Sequence, residues 1–270
     1  MSSSPETAAP AAPAARKRRP PRRVEVTRVE VLSPAMRRIT FRGDELDGFA
    51  PETPASYIKL IFPEPGQNEP ERPLPDAPRP KAMRTYTPLA VRPDVHEVDV
   101  DFVLHGEGPA STWASQATVG QVIYLMGPGP GYALDTSATQ HLLIADDSAL
   151  PAIESILAVL PASASVRLLV EVISADEARP LQSAATLVTQ WLPRGTDHRN
   201  AGLPLERALR GLQTVPPGTK IYLACEAAAM RRIRKLLQDE LGVNPQHIVG
   251  RGYWKLDTIN HPDHDYGESD

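Results

Sequence analysis

Arg84-Thr-Tyr-Thr87 and Asp101-Phe-Val-Leu-His-Gly-Glu-Gly-Pro-Ala-Ser-Thr-Trp113 are the two stretches that decide how this chain is read. The first sets a cation, an aromatic ring and a hydroxyl at alternate or adjacent positions of a strand. The second ends a strand at His105, turns through Gly106 and Gly108, and enters a helix through Pro109-Ala110-Ser111. Free amides at such a helix start face an anion well. Glycines and small side chains there let a pyrophosphate approach the backbone closely. Together the two stretches form a cradle for a flavin and point to redox chemistry.

Working outward, the chain from Arg23 to about Leu134 reads as strands separated by turns: 24–32, 37–42, 56–62, 84–91, 97–105 and 122–126. Alternation is clear in Val24-Glu-Val-Thr and in Val98-Asp-Val-Asp-Phe-Val, where every second side chain faces a core. Six strands with one short helix predict a small antiparallel barrel. Between Pro63 and Pro80, seven prolines predict an extended excursion. After Ala138 the rhythm changes. His141-Leu-Leu-Ile-Ala-Asp146 is an apolar run of strand length, followed by a helical pattern over 149–160 and strand, helix, strand, helix and strand over 166–174, 203–212, 220–225, 227–241 and 248–254. Non-alternating strands linked by helices predict a parallel sheet covered on both faces. The fold class is thus β followed by α/β, with a crevice between two domains.

Composition limits the chemistry. At 270 residues, 41% hydrophobic, the chain has room for two cores. A single cysteine, Cys225, leaves electrons to an organic cofactor or an external metal. A net charge of −4 argues against nucleic acid as partner. No apolar run approaches the roughly 18–20 residues that cross a bilayer, and no signal-type apolar core opens the chain, so no membrane insertion and a cytoplasmic location are expected. A monomer is also expected. Residues 1–22 form a basic Ala/Pro-rich arm that reads as disordered. Residues 257–270 hold five acidic side chains and no Lys or Arg. His261 and His264, in that tail, are the only close histidine pair.

Arg84 presents a planar fork suited to a phosphate or a carboxylate. Tyr86 is placed to stack on a flavin ring, and Thr87 to hydrogen-bond its N5 or O4 region. His105 reads as a cofactor contact, because hydride transfer needs no general base from it. Gly127-Pro-Gly-Pro-Gly131 lacks the lysine of a phosphate loop and reads as a hinge. No Gly-x-Gly-x-x-Gly fingerprint marks a nicotinamide site.

Arg84-Thr-Tyr-Thr, Asp101 to Ser111, Gly127-Pro-Gly-Pro-Gly, Ala145-Asp-Asp-Ser-Ala-Leu-Pro-Ala-Ile153, Trp191-Leu-Pro-Arg194, Ala224-Cys-Glu226 and Gly252-Tyr-Trp-Lys255 occur in an order that resembles the siderophore-interacting proteins. These are ferric-siderophore reductases of the ferredoxin-reductase-like superfamily. The resemblance spans about Arg23 to Lys255. It implies a six-stranded FAD-binding barrel over 23–136, then a Rossmann-like NAD(P)H-binding domain over 137–256. It implies FAD contacts from Arg84, Thr85, Tyr86, Thr87, Asp101, Val103, His105, Pro109, Ala110, Ser111, Thr112, Asp147 and Trp254. Lys59 and Lys255 are implied for an anionic ferric siderophore. Ser148, Arg194, Glu226 and Arg231 are implied for nicotinamide, with Asp146 and Arg232 nearby. Pro130, Gly131 and Tyr132 stand where relatives often carry a further basic residue. The implied activity passes electrons from NADH or NADPH through FAD to siderophore-bound iron(III), releasing iron(II); no protein ligand to a metal is needed. Two alternatives stay open on the residues themselves: a redox-silent ferric-siderophore binding protein, and a flavin reductase with a protein electron partner such as ferredoxin.

Overall fold

Val24 and Val26 turn inward and Glu25 outward, as the alternation predicts, and the first sheet grows from that strand. The computed structural model describes residues 20–258 apart from 65, 75–77, 79 and 106–107. Most of the basic arm, Gly106 of the turn, and the acidic tail from Ile259 with His261 and His264 therefore lie outside the described residues.

Seven strands form the first sheet: β1 (Arg22–Ser33), β2 (Met36–Arg42), β3 (Tyr57–Ile61), β4 (Met83–Tyr86), β5 (Pro88–Arg92), β6 (Glu97–Val103) and β7 (Val122–Gly129). Every pairing is antiparallel, in the order β4-β3-β7-β1-β2-β6-β5. The sequence predicts six strands, and the difference falls at 84–91. Pro88 has no N–H to offer a ladder, and at Thr87 the chain leaves β3 and crosses to β6. β4 and β5 are therefore the two edges of the sheet. The sheet curls like a barrel without hydrogen-bonded closure. Ile39, Phe41, Ile58, Leu60, Phe62, Val98, Val100 and Phe102 fill its core. Trp113, on α1 (Pro109–Ser115), stacks near-parallel to Phe41 at 6.2 Å.

The second sheet is wholly parallel, ordered β10-β9-β8-β11-β12: β8 (Gln140–Asp146), β9 (Ser165–Val172), β10 (Thr186–Pro193), β11 (Lys220–Glu226) and β12 (Ile248–Trp254). In sequence terms this is third, second, first, fourth, fifth, so the direction of winding reverses between β8 and β11. Residues at alternate positions of β8, β9 and β11 face opposite helical layers. Leu143, Leu168 and Ala224 meet α2 (Leu150–Leu157), while Leu142, Leu169 and Leu223 meet α3 (Leu203–Arg210) and α4 (Ala227–Asp239). β10 is a strand that the apolar-run reading misses. As an edge strand it alternates between exposed and half-buried residues, so it carries no continuous apolar signal. No α-helix joins β9 to β10; a single 3-10 turn, Ala175–Glu177, and an irregular segment make the crossover.

The two halves share one core. Met36, Ala55 and Tyr132 of the first half pack into the cluster built around α2. Polar ties cross the same boundary: Ala55 N donates to Ser155 Oγ at 2.7 Å, Ala35 N to Glu177 Oε1 at 3.0 Å, and Arg251 Nη2 to the Gly131 carbonyl at 3.0 Å. Ser33 Oγ also donates to Glu177. The hinge reading of 127–131 meets a packed segment here. An added Cβ at Gly129 would fall 2.2 Å from Tyr57 Cζ, and one at Gly131 would fall 2.1 Å from the Pro54 carbonyl oxygen.

Candidate active site

Register decides which side chains of the first motif share a face. Arg84 lies opposite Leu60 and Tyr86 opposite Ile58, both core residues, whereas Thr85 lies opposite Lys59 on the other face. The Tyr86 ring sits 4.5 Å from Phe102, and its burial holds the phenol well above its ordinary pKa. Arg84 donates to the carbonyls of Lys81 and Met83 and pairs with no carboxylate among the described residues. Burial draws its pKa down. A half-buried guanidinium without a counter-ion fits an anionic group such as the FAD pyrophosphate. Thr85, exposed and on the far face, does not share that environment.

The second motif divides in the same way. Asp101 is committed within the protein: Arg38 grips it bidentately at 2.7 and 2.8 Å, with Arg179 at 3.9 Å and Glu154 completing the network. Its carboxylate therefore braces the two halves, and is not open to a cofactor. Val103 packs against the shared core. Ser111 Oγ accepts from His105 N at 2.9 Å, closing the turn between strand and helix. Ala110 is buried, Pro109 and Thr112 are exposed, and nothing lies within 4 Å of a Cβ added at Gly108. That open flank fits close approach by a ligand.

Thr87 is 7% exposed and lies beside Tyr253 of β12. The first motif thus touches the second half directly. At the carboxyl ends of β8, β11 and β12, Asp146 accepts four hydrogen bonds: from Ser148 N and Oγ, from Glu226 N at 3.0 Å, and from Trp254 Nε1 at 2.7 Å. Burial and the neighbouring Asp147 push its pKa up to about 6. Trp254 is held from its other side by His198, edge-on at 5.8 Å. His105 stands near this group. Burial and then His198 lower its pKa, Asp146 pulls it part-way back, and Arg194 lowers it again.

Ligands of wound sheets bind where the winding reverses, and here that place is ringed by acids. Asp147 pairs with Arg194 at 3.0 Å, Glu171 lies 3.9 Å from the same guanidinium, and Glu226 caps α4 by accepting from Ala229 N at 2.7 Å. Desolvation pushes Glu171 up to about 8. The Arg194 side chain is 3% exposed, so it is not a surface cation awaiting a 2′-phosphate. Arg232 bridges Glu206 and the Ala201 carbonyl, and Arg231 donates to the Ala227 carbonyl. Carboxylates at the α4 start do not fit a dinucleotide pyrophosphate there. Ser148, Arg194 and Glu226 are each engaged at the strand ends, by Asp146, Asp147 and Ala229 N respectively.

Of the two lysines, Lys59 lies 5.9 Å over the Tyr57 ring and opposite Met126 on β7. Lys255 is exposed directly after β12. Sequence reasoning missed three neighbours. His198 has no signal in its loop. Tyr253 lay inside a quoted motif without a role. Glu171 was visible as a lone acid in a buried apolar strand. No group of three or more His, Cys, Asp or Glu among the described residues is arranged to hold a metal.

Residues 25–132 match the model of the siderophore-interacting FAD-binding domain, and residues 138–257 that of the siderophore-interacting protein. The ferric vibriobactin reductase ViuB of Vibrio cholerae is 31% identical over 245 residues, 87% of this chain and 89% of that one. The crystal structure of a siderophore utilization protein from T. fusca aligns with a TM-score of 0.81 at 29% identity, covering 90% of this chain and 96% of that one. SipS, the siderophore-interacting protein of Aeromonas hydrophila, aligns at 0.79 and 29%, covering 93% and 99%. With both halves matched in order and a curved antiparallel sheet set against a reversed parallel one, the chain belongs to the siderophore-interacting protein family, whose first domain binds FAD.

Proposed function

We propose that the chain is an FAD-dependent ferric-siderophore reductase that draws electrons from NADH or NADPH. The observation that carries this is Arg84: a half-buried cation with no acidic partner among the described residues, on the strand that leads through Tyr86 to Thr87, which lies beside Tyr253 of the second half. When FAD is bound, Arg84 would hold its phosphates, Tyr86 would lie against the ring, and the Thr87 hydroxyl would serve the N5 or O4 region. FAD, when bound, accepts a hydride and passes electrons singly to iron(III). Trp254, clamped by Asp146 and His198, closes the second-domain side of the crevice.

Siderophores hold iron(III) through hard oxygen donors, and iron(II) binds such donors more weakly, so reduction loosens the cage. Lys59 and Lys255 supply the positive charge that an anionic ferric siderophore needs. The acids at the strand ends favour a nucleotide donor whose phosphates stay outside the switch point.

Anaerobic stopped-flow tests the reading. The FAD-loaded protein is reduced with NADH or NADPH and mixed with ferric siderophores of several classes. Flavin reoxidation faster than in buffer is expected for at least one, and its absence for all of them sinks the reductase assignment. Reduction by a reduced ferredoxin but by neither nucleotide would transfer the donor role to a protein. Lys255→Ala should leave flavin content unchanged and slow reoxidation by anionic complexes roughly tenfold, the loss of one close charge pair. Equal rates would return Lys255 to the solvated surface.

A further inference from the structure

Each of the two sheets ends in two edge strands, and three of the four edges are blunted. β4 is only four residues long. β5 begins at Pro88 and loses register against β6 between Leu89 and Arg92. β12 loses register against β11 after Cys225, and its Arg251 reaches the Gly131 carbonyl of the first half at 3.0 Å. Devices of this kind keep a foreign strand off an open edge. β10 has none until Pro193, its last residue. Its eight residues, Thr186-Leu-Val-Thr-Gln-Trp-Leu-Pro193, carry no charged side chain and pair with β9 in unbroken register.

The groups that this edge leaves open follow from the ladder. Thr186 N donates to the Ala164 carbonyl at 3.0 Å, and Arg194 N to the Val172 carbonyl at 2.8 Å. A strand residue turns its N–H and C=O to one side and its neighbour turns them to the other, so the even-numbered residues serve β9. Leu187, Thr189 and Trp191 therefore hold their N–H and C=O groups outward, and no described residue pairs with them.

Beside the edge, on the α3 side, runs a groove of about 510 Å³ lined by Leu192, Pro204, Ala208 and Leu212 together with Arg167 and Arg207. Arg167 lies opposite Val188, which is 60% exposed. Both arginines are exposed as well. The acids near them are committed elsewhere: Glu206 to Arg232 and Arg210, and Glu240 to Arg210. Arg167 and Arg207 form no ion pair among the described residues.

We infer that β10 and this groove form a docking site for an extended, acidic segment of another protein, which joins the parallel sheet as a sixth strand. The outward groups of Leu187, Thr189 and Trp191 supply main-chain hydrogen bonds, as in other cases of strand addition. A strand laid there presents alternate side chains to the two faces of the sheet. Those on the α3 face meet Arg167 and Arg207, while those on the other face lie beside Leu187 and Trp191, which pack toward α2. The segment that fits therefore alternates acidic and apolar residues. A second copy paired through the same edge fits less well, because its β10 has no acid to offer the arginines.

The test uses the full-length, FAD-loaded protein and a fluorescein-labelled octapeptide of alternating glutamate and valine, with lysine in place of glutamate as the control, read by fluorescence anisotropy. The acidic peptide should bind and the basic one should not, and added salt should weaken the binding. Thr189→Pro removes the central outward N–H and leaves the β9 ladder in place. Arg207→Glu reverses one charge of the groove on an exposed helix face and leaves β10 untouched, so it reads the site if the proline variant folds poorly. Each should weaken binding at least about tenfold. No binding of the acidic peptide, equal binding of the basic one, or wild-type affinity in either folded variant overturns the docking site. A dimer in sedimentation that Thr189→Pro dissociates would give the edge to a second copy. Binding that appears only once residues 259–270 are removed would give it to the chain's own acidic tail. Either result overturns the external partner.

Discussion

At the scale of single residues, the molecule sorts its charged groups by whether they have found a partner. Asp101, Arg194 and Glu226 all look like ligands in the sequence, and all three are consumed by buried contacts. Arg84 is the contrasting case, and Arg84→Ala should weaken FAD retention at least tenfold, given the ~1.5–3 kcal/mol of a charge-assisted hydrogen bond. An unchanged flavin-to-protein ratio after gel filtration would count against it. Glu171 carries a pH signature. Its pKa is pushed up to about 8, first by desolvation and then by Asp146, although Arg194 opposes the shift. A carboxyl whose folded pKa lies above its unfolded value of about 4.3 keeps its proton longer in the native state. Stability is then intact below the unfolded value and erodes as pH climbs toward 8. Glu171→Gln, which retains an acceptor for Gly202 N, should melt increasingly above the wild type between pH 6 and 8.5. For a chain of this size ~1 kcal/mol corresponds to about 2–4 °C. Parallel melting curves across that range would show that Glu171 is ionised throughout. Arg194 stood out in the sequence as a nicotinamide contact, because a loop arginine carries no mark of burial, while its neighbour Glu171, a lone acid in an apolar strand, was passed over.

At the scale of elements, period and breakers explain what was legible and what was not. The alternation of β1 and β6 and the apolar runs of β8, β9 and β11 foretell five strands and the change of architecture between the halves. The split of 84–91 was written in Pro88, yet a strand continuing past a proline at an edge looks the same on paper as one that changes partner. β10 gave no run to follow, since only its β9 side is paired. The Gly-Pro turns of 127–131 read equally as hinge or as packing until the neighbours are known. Gly131 lies against backbone, which cannot yield, so Gly131→Ala should cost about 1–3 kcal/mol through overpacking. Gly108→Ala, with nothing within 4 Å and an extended φ of −64°, should cost no more than ~0.5 kcal/mol. Chemical denaturation of the two variants side by side separates them. Equal midpoints would mean that the 127–131 segment moves aside freely, as a hinge would.

At the scale of the whole molecule, the crevice is useful only if the two sheets keep their relative position while a bulky complex enters. Domains joined by a modest polar contact move by default, but here the contact is part of a core. Met36, Ala55 and Tyr132 pack into the α2 cluster, and the Arg38–Asp101–Arg179–Glu154 network together with Glu177 seals its polar side. The same boundary carries the Thr87–Tyr253 contact, so rigidity and the placing of the site have one source. No sequence pattern announces such a boundary, because its members come from six separate segments and each reads as an ordinary core or surface residue. The physical consequence is a single cooperative unfolding transition for the flavin-free wild type in scanning calorimetry. Asp101→Ala leaves Arg38 and Arg179 without their shared partner, and breaking a buried pair from one side costs about 3–5 kcal/mol. That variant should melt roughly 6–20 °C lower, at about 2–4 °C per kcal/mol, and should separate into two transitions as the sheets lose their coupling. Two transitions already in the wild type would show that the shared core does not bind the halves into one unit, and would return the molecule to a pair of mobile domains.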